Sequence, residues 1–240
     1  MSITKQENEL FTEWAIERGY GNFFVKDGVP NPEQFERAAI KATGKKCRIC
    51  FVLKEAITDE DEKDFDMRDW VNTVGGRRQT WDNITRWTQA ILDCGDYLQD
   101  VSEDDRKKWL RQISFLNLKK LGGSSTASPL MIKRYAKNDA EFLFRQLSIY
   151  QPDIIICCGK LGNQSVADWL HNWGLGDKED DWNHDYDTAY KGCRFFFTES
   201  LGKTTVVLDC YHPSNWNHYF DDEDMSNAMK TIVPRLLADR

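Results

Sequence analysis

Four short apolar runs along the chain have the length and residue content of buried β-strands. They cover residues 47–53 (CRICFVL), 114–117 (SFLN), 154–158 (IIICC) and 204–210 (TTVVLDC). Short runs that are rich in apolar and β-branched residues, and that show no helical spacing, are typical of strands covered on both faces. We therefore expect these runs to form the strands of one central sheet.

Segments with helical spacing of their apolar residues precede and separate the predicted strands. The clearest example contains Trp81, Ile84, Trp87 and Ile91, which recur every three or four positions and predict an amphipathic helix. Strands that alternate with helices predict a parallel sheet with helices on both faces. The predicted fold is therefore α/β, a three-layer α/β/α arrangement around a central, mainly parallel four-stranded sheet. The predicted helices cover residues 9–17, 33–41, 81–92, 139–150, 159–169 and 227–237, with the end of another at 109–113.

The 240 residues are predicted to form a single domain, because one α/β core with insertions reaches this length. Residues 1–43 are interpreted as a helical lead-in to the first strand. Residues 58–80 and 174–190 are mostly polar, and their apolar residues show no sustained periodicity. Both segments are predicted to be insertion loops. The stretch 119–123 (KKLGG) is predicted to be a basic, glycine-rich loop after the second strand.

Charge and composition limit the possible cellular settings and partners. The first residues, MSITKQENEL, lack the apolar segment of a secretory signal, and no stretch is apolar for long enough to span a bilayer. The sequence therefore predicts a cytoplasmic protein with no membrane association, and no obligate protein partner is evident. Cys occurs seven times, an odd number that does not favour a disulfide framework. The net charge of −7 opposes broad coating of nucleic acid, so any DNA contact must be local.

Polar side chains that could take part in catalysis or binding lie at or just after the ends of three of the predicted strands. Glu55 follows the first strand, Asn117 ends the second, and His212 follows the last. In an open parallel sheet, ligands bind beyond the carboxyl ends of the strands, so these groups are predicted to converge on one rim. A carboxylate can stabilise positive charge on a sugar, and an imidazole can stabilise negative charge on a departing base. A carboxamide can read the edge of that base.

The same segments resemble the motifs of the uracil-DNA glycosylase superfamily, in the same order. FVLKEA resembles the first motif, in which a strand ends before an acidic or amide residue, and SFLNLKK resembles the strand that ends in a base-reading Asn. PDIIICCG resembles the structural strand that ends in Gly, and CYHPS matches the His-Pro-Ser motif. The resemblance covers most of the chain, roughly residues 47–217. It implies a glycosylase-like fold and hydrolysis of the bond between a base and deoxyribose in DNA.

The resemblance also implies roles for individual residues. Glu55 corresponds to the catalytic carboxylate, Asn117 to the base reader and His212 to the residue that faces the leaving base. An aromatic residue that stacks on the flipped base is expected after the first motif, with Phe65 as the first choice and Trp70 as the second. The residues predicted to contact DNA are Lys54, Arg77, Arg78, Lys119, Lys120, Pro213 and Ser214.

The chain departs from the family pattern at Lys54, where Gly is expected, and at Ile57, where Pro is common. The iron–sulfur branches of the family need four suitably placed Cys, whereas Cys47 and Cys50 fall within the predicted first strand, so no cofactor and no metal are expected. The long segment 58–80 suggests a pocket not built for plain uracil.

The sequence predicts a monofunctional DNA N-glycosylase that flips out a non-standard base and leaves an abasic site. The base is a modified cytosine, such as glucosylated hydroxymethylcytosine in phage DNA, or uracil. Two alternatives stay open: a protein on the same fold that binds DNA or a nucleotide without cutting it, and a hydrolase of free nucleosides.

Overall fold

The computed structural model describes residues 1–58, 62–76, 79–123, 128–176, 181–185, 193–214 and 222–238. These residues form an α/β fold with a six-stranded central sheet and helices on both of its faces. The strands are β1 (Ile49–Ile57), β2 (Ser114–Gly123), β3 (Ile154–Cys158), β4 (Lys160–Leu161), β5 (Gln164–Ser165), β6 (Asn183–Asp185), β7 (Cys193–Thr198) and β8 (Thr205–Cys210).

The central sheet has the strand order β2-β1-β3-β8-β7-β6. The first four strands in this order run parallel, whereas β7 and β6 pair antiparallel at one edge. The remaining strands, β4 and β5, form a small antiparallel hairpin after β3. The predicted mainly parallel α/β architecture is therefore confirmed, and the carboxyl ends of β1, β2, β3 and β8 meet at one rim.

Helices cover the sheet in two layers, each with its own apolar core. One core contains residues from α4 (Gln79–Asp93), α5 (Glu103–Leu110) and α9 (Asp222–Ala238). The other contains residues from α1 (Ile3–Glu17), α6 (Pro129–Asn138), α7 (Ala140–Tyr150) and α8 (Val166–Leu170). Successive side chains of a strand point to opposite faces, so β1 contributes Phe51 to the first core and Val52 to the second. Two further helices are α2 (Pro32–Arg37) and α3 (Met67–Val74).

The predicted insertion loop at 58–80 contains a helix, which corrects the sequence-based expectation. Asp66 begins α3 by accepting a hydrogen bond from the backbone N–H of Arg68, and Gly75 ends it in the left-handed conformation with φ of 71°. A side-chain cap and a left-handed glycine are the usual signals for the two ends of a helix. Its apolar residues Met67, Trp70, Val71 and Val74 recur every three or four positions, so the helical pattern was present in the sequence, but it spans only about two turns between polar segments. The helix places Met67 and Trp70 beside the carboxyl end of β1.

The sheet has six strands rather than the predicted four. Both additional strands, β6 and β7, lie at the antiparallel edge. In β7, Phe195 packs into one apolar core and Phe196 into the other, so this strand is covered on both faces. Its apolar stretch is short and follows an acidic segment, which is why the sequence pattern did not show it. Strand β6 lies within the segment 174–190 that was predicted to be a loop.

The strand β2 is longer than predicted and includes the stretch 119–123, which was expected to be a loop. It pairs with β1 through Glu55↔Lys119 and Ile57↔Gly123, with an irregularity in register between these two pairs. The extra length has a physical reason: β1 also continues past its apolar run, so each polar extension supplies backbone hydrogen-bond partners for the other. Glu55 therefore lies within β1 rather than after it, and Asn117 lies within β2 rather than at its end.

The thiols of the sheet are buried. Cys50, Cys157 and Cys158 are inaccessible to solvent in β1 and β3. Burial raises the pKa of the Cys50 thiol to about 12. It also raises the pKa values of Cys157 and Cys158 above their usual range. These side chains act as small apolar residues at neutral pH. Within the described part of the chain, no helix is long and apolar enough to cross a membrane.

Candidate functional site

A cavity of about 300 Å³ opens at the carboxyl end of the parallel strands. Glu55, Asn117 and His212, the residues singled out from the sequence, all line it. Phe65 and Trp70, the two choices for an aromatic wall, line it as well. The cavity thus joins a carboxylate, a carboxamide and an imidazole to aromatic surface in one space, as expected for the rim of an open parallel sheet.

Glu55 is held in place by the neighbouring strand. Lys119, its register partner on β2, donates a hydrogen bond from Nζ to Glu55 Oε2 over 2.7 Å and to the carbonyl oxygen of Gly122 over 3.0 Å. The Glu55 side chain is only 6% exposed, so this ion pair is largely shielded from water. Gly123 packs against the carboxylate so closely that a Cβ there would lie 2.1 Å from Glu55 Cδ. Glu55 therefore presents a fixed negative group to the cavity.

Asn117 is fully buried and is anchored by Asp27. Its backbone N–H and its side-chain Nδ2 both donate to Asp27 Oδ2, over 2.7 Å and 3.1 Å. The same Nδ2 also lies 3.3 Å from Met67 Sδ. The amide oxygen, Oδ1, has no hydrogen-bond partner in the described structure. Because a buried carbonyl oxygen without a partner is costly, this atom is a candidate acceptor for a donor group that enters the cavity.

His212 is neutral at physiological pH, and its tautomer follows from its contacts. The backbone N–H of Ser214 donates to Nδ1 over 3.2 Å, and the Ser214 hydroxyl lies 2.7 Å from the same nitrogen. Since Nδ1 accepts a backbone hydrogen bond, the ring proton resides on Nε2. Burial, assisted by the positive charge of Lys54, lowers the pKa of His212 to about 4. The residue can therefore donate a hydrogen bond from Nε2 without carrying a charge.

The backbone around His212 is shaped by two further contacts. Asn83 on α4 is buried and donates from Nδ2 to the carbonyl oxygen of Pro213 over 2.7 Å, which ties the His-Pro-Ser turn to the helix. Gly159, with φ of 89°, lies so close to the imidazole that a Cβ there would be 3.0 Å from His212 Cβ. A residue with a side chain would be strained in this conformation and crowded by the ring. Asn83 was not predicted from the sequence.

Aromatic rings form a continuous wall from the cavity into the core. Phe65 and Trp70 pack edge to face with centroids 6.4 Å apart, and Trp70 meets Trp81 at 5.8 Å. Trp81 in turn contacts Phe115 of β2 at 5.3 Å. Such edge-to-face contacts hold the rings rigidly. Phe65 is partly buried, so its ring combines a fixed position with a surface that faces the cavity.

The three lysines predicted to contact DNA are all buried or partly buried, and the prediction for Lys120 is corrected by its position in the core. Its side chain is completely buried, and its Nζ lies 2.6 Å and 2.7 Å from the two carboxylate oxygens of Asp27. An enclosed ammonium cannot reach a DNA phosphate, so Lys120 belongs to the core. Lys119 is paired with Glu55 and only 13% exposed. Lys54 is partly buried, and burial lowers its pKa.

The other predicted DNA contacts fall in two groups. Pro213 is buried and Ser214 is partly buried, and both belong to the turn that carries His212. Arg77 and Arg78 lie outside the described residues. Sequence reasoning also missed Asp27, which lies on an irregular segment beside β2: Val25 N–H donates to the Lys120 carbonyl over 2.7 Å, and Phe115 N–H donates to the Gly28 carbonyl over 3.0 Å. The apolar run before Asp27, residues 23–25 (FFV), is too short to predict a strand, so the position of Asp27 was hidden.

The described residues contain no group of three or more His, Cys, Asp or Glu side chains that could hold a metal ion. No protein-family model matches the sequence, and no curated protein matches it at a significant level. Function is therefore inferred from the chemistry of the cavity and from the motif resemblance of its strands.

Proposed function

We propose that this protein is a DNA N-glycosylase that hydrolyses the bond between a non-standard base and deoxyribose, leaving an abasic site. The observation that carries this proposal is the convergence of Glu55, Asn117 and His212 on one cavity with an aromatic wall. Each of the three groups matches one requirement of the reaction: charge stabilisation on the sugar, recognition of the base, and charge stabilisation on the leaving group.

His212 supports departure of the base. When the bond between C1′ and the ring nitrogen breaks, its electron pair leaves with the base, and negative charge develops on the base oxygens. The neutral imidazole donates a hydrogen bond from Nε2 to such an oxygen, and the charge-assisted bond strengthens as the base leaves. The released base then takes a proton from solvent. Because His212 remains neutral, it stabilises the charge without having to transfer a proton.

Glu55 supports the other half of the reaction. The departing base leaves a positively charged, oxocarbenium-like sugar, which the fixed carboxylate stabilises. A water molecule supplies the oxygen that bonds to C1′, and Glu55 accepts a hydrogen bond from this water and then its proton, which passes to solvent. Lys119 holds Oε2, and no hydrogen bond to Oε1 is found within the described ranges. Oε1 is thus the oxygen assigned to the water.

A base reaches these groups only when it leaves the double helix. A flipped base stacks on aromatic rings and is read along its edge, and the cavity offers both features. Phe65 is the proposed stacking surface, because its ring is held by Trp70 and faces the same cavity as Asn117. The proposed substrates are DNA that carries a modified cytosine, such as glucosylated hydroxymethylcytosine of phage DNA, and DNA that carries uracil. The first of these would give the protein a role in antiviral defence.

The experiment is a strand-break assay on labelled duplexes that carry a single modified cytosine or uracil. Base release should create sites that alkali converts into breaks, and mass spectrometry should identify the free base. Glu55→Gln and His212→Ala should each lower the single-turnover rate by two orders of magnitude or more. Glu36→Gln, the same chemical change on an exposed position of α2, should leave the rate unchanged. Equal rates for all four proteins would contradict the assignment of the site.

A specific observation favours a second candidate, a protein that binds DNA or a nucleotide without cutting it. The Glu55 carboxylate already has a partner in Lys119, and such a pair can be purely structural. A binding protein would retain modified duplexes in an equilibrium assay but would release no base. A nucleoside hydrolase would release bases from free nucleosides more readily than from DNA. The same panel, extended to nucleosides, separates the three activities.

A further inference from the structure

The amide of Asn117 has only one orientation that fits its surroundings. Asp27 Oδ2 lies 3.1 Å from Nδ2, and a carboxylate oxygen can only accept hydrogen bonds. Rotating the amide by half a turn would place Oδ1 against that oxygen, and two acceptors would then repel each other. The amide nitrogen is therefore committed to Asp27, and Oδ1 is the atom left for the cavity.

Asp27 is itself held so firmly that it cannot turn away. Lys120 donates to both carboxylate oxygens, over 2.6 Å and 2.7 Å, and Gln146 donates to Oδ1 over 2.8 Å. The backbone N–H of Asn117 provides a further donor over 2.7 Å. Asp27, Lys120 and Asn117 are all completely buried, so water cannot replace any of these contacts. The orientation of the Asn117 amide is consequently set by the fold before any base enters.

The register of the sheet indicates which part of a base meets Asn117. Asn117 pairs with Leu53, and Glu55 lies two residues farther along β1 towards the rim. The two side chains are therefore separated by about 7 Å along the strands. A pyrimidine whose N1 lies near Glu55, where its sugar bond is cut, points its opposite ring atom, C4, inward. The group attached to C4 is thus the one that meets the amide of Asn117.

We propose that Asp27, itself held by Lys120, makes Asn117 a one-sided reader, which selects pyrimidines that carry an amino group at C4 over those that carry an oxygen there. An amino group at C4 donates to Oδ1 and satisfies it, whereas an oxygen in the same place is a second acceptor and is repelled by Oδ1. The inference rests on the proposed glycosylase function and narrows its substrate to cytosine-type bases. Asp27 acts as a positioning residue.

The test compares two bases that differ in the C4 group and the ring proton that accompanies it. 5-Hydroxymethylcytosine and 5-hydroxymethyluracil are placed in the same duplex sequence. Each lies opposite an abasic analogue, so that neither base is paired. Single-turnover release should be at least about tenfold faster for the amino-bearing base, the ratio expected when one buried hydrogen bond is lost. Equal rates, or faster release of hydroxymethyluracil, would overturn the inference while leaving the glycosylase function standing.

Two variants test the role of Asp27 separately from folding. Lys120→Met keeps an acceptor oxygen, Asp27 Oδ2, opposite the Asn117 amide nitrogen and should keep the preference for the amino-bearing base, even if the protein is less stable. Asp27→Asn combined with Lys120→Met offers the Asn117 amide either a donor or an acceptor, so the ratio of rates should fall to within about threefold. An unchanged ratio in the double variant would refute the role of Asp27. Release of no base from any duplex by the wild-type protein would refute the proposed function together with this inference.

Discussion

At the scale of single residues, His212 makes a defined contribution to the dependence of stability on pH. Its pKa is about 4 in the folded protein and near 6.5 when unfolded. Above pH 6.5 both states are neutral and the residue has no effect. As the pH falls from 6.5 towards 4, the unfolded state binds a proton that the folded state does not, so the folded state loses stability. The full loss is on the order of 3 kcal/mol, reached below pH 4.

The measurement is the free energy of unfolding in urea at pH 7 and pH 5, for wild-type protein and His212→Gln. The wild-type protein should lose on the order of 2 kcal/mol more than the variant between these pH values. Comparing the two proteins is necessary because burial raises the pKa values of Glu7 and Asp139, which titrate in the opposite sense. Identical losses in both proteins would show that His212 is not held neutral.

A second residue-scale prediction concerns the contact between Gly123 and Glu55. A methyl group on Gly123 would overlap the Glu55 carboxylate, since a Cβ there lies 2.1 Å from Cδ. Gly123→Ala should therefore lower the free energy of unfolding by about 1–3 kcal/mol. In a Glu55→Ala background, Gly123→Ala should have little effect on the free energy of unfolding, because the carboxylate that would clash is absent. A double-mutant cycle in denaturant measures this coupling. Additive effects of the two changes would contradict the close approach.

At the scale of secondary-structure elements, the turn that carries His212 depends on α4. Asn83→Ala removes the buried hydrogen bond to the Pro213 carbonyl and leaves that oxygen without its partner. The expected loss is about 1–3 kcal/mol in the free energy of unfolding. Because the turn then becomes less well positioned, the single-turnover rate should fall more than substrate affinity does. Thr88→Val, which removes a buried hydrogen bond within α4 itself, provides the control and should spare the rate.

The elements also show which features the sequence revealed and which it could not. Apolar runs predicted the parallel strands, because burial on both faces leaves a continuous apolar stretch. Polar extensions of strands carry no such pattern, since they are defined by pairing with the neighbouring strand. The short helix α3 does carry a helical pattern, with Met67 and Val71 buried, but only over about two turns within a polar segment. The three cavity groups were identifiable because strand ends of a parallel sheet share one rim. Asp27 was not identifiable, because its segment is far from β2 in sequence and lies beside it only in the folded protein.

At the scale of the whole molecule, the buried pair Asp27–Lys120 links three parts of the fold: the segment before α2, the strand β2 and, through Gln146, the helix α7. Lys120→Met leaves the Asp27 carboxylate buried without its counter-charge, which should cost about 3–5 kcal/mol of unfolding free energy. Adding Asp27→Asn removes the unpaired charge and should restore part of that loss. Urea denaturation of the wild-type protein and both variants checks this order. A double variant that is less stable than Lys120→Met would contradict it.

With a net charge of −7, the proposed DNA binding would have to depend on local contacts. Arg77 and Arg78, which lie outside the described residues, remain the sequence-based candidates for phosphate contacts. Replacing both with Ala should weaken duplex binding and flatten the dependence of affinity on salt concentration, because fewer counterions are released. Binding titrations over a range of salt concentrations measure this slope. Wild-type and variant slopes that coincide would remove these residues from the interface.

Chemical modification of the buried cysteines can report local opening of the central sheet. Alkylating reagents attack the thiolate, and Cys50, Cys157 and Cys158 have raised pKa values and no contact with solvent. They should become modified only when β1 and β3 separate from their neighbours, whereas the partly exposed Cys94 should react in the native state. The rate of the slow phase of alkylation would then measure how often the central strands open. A base that occupies the adjoining cavity should lengthen that phase, which makes thiol protection a measure of ligand binding that needs no catalysis.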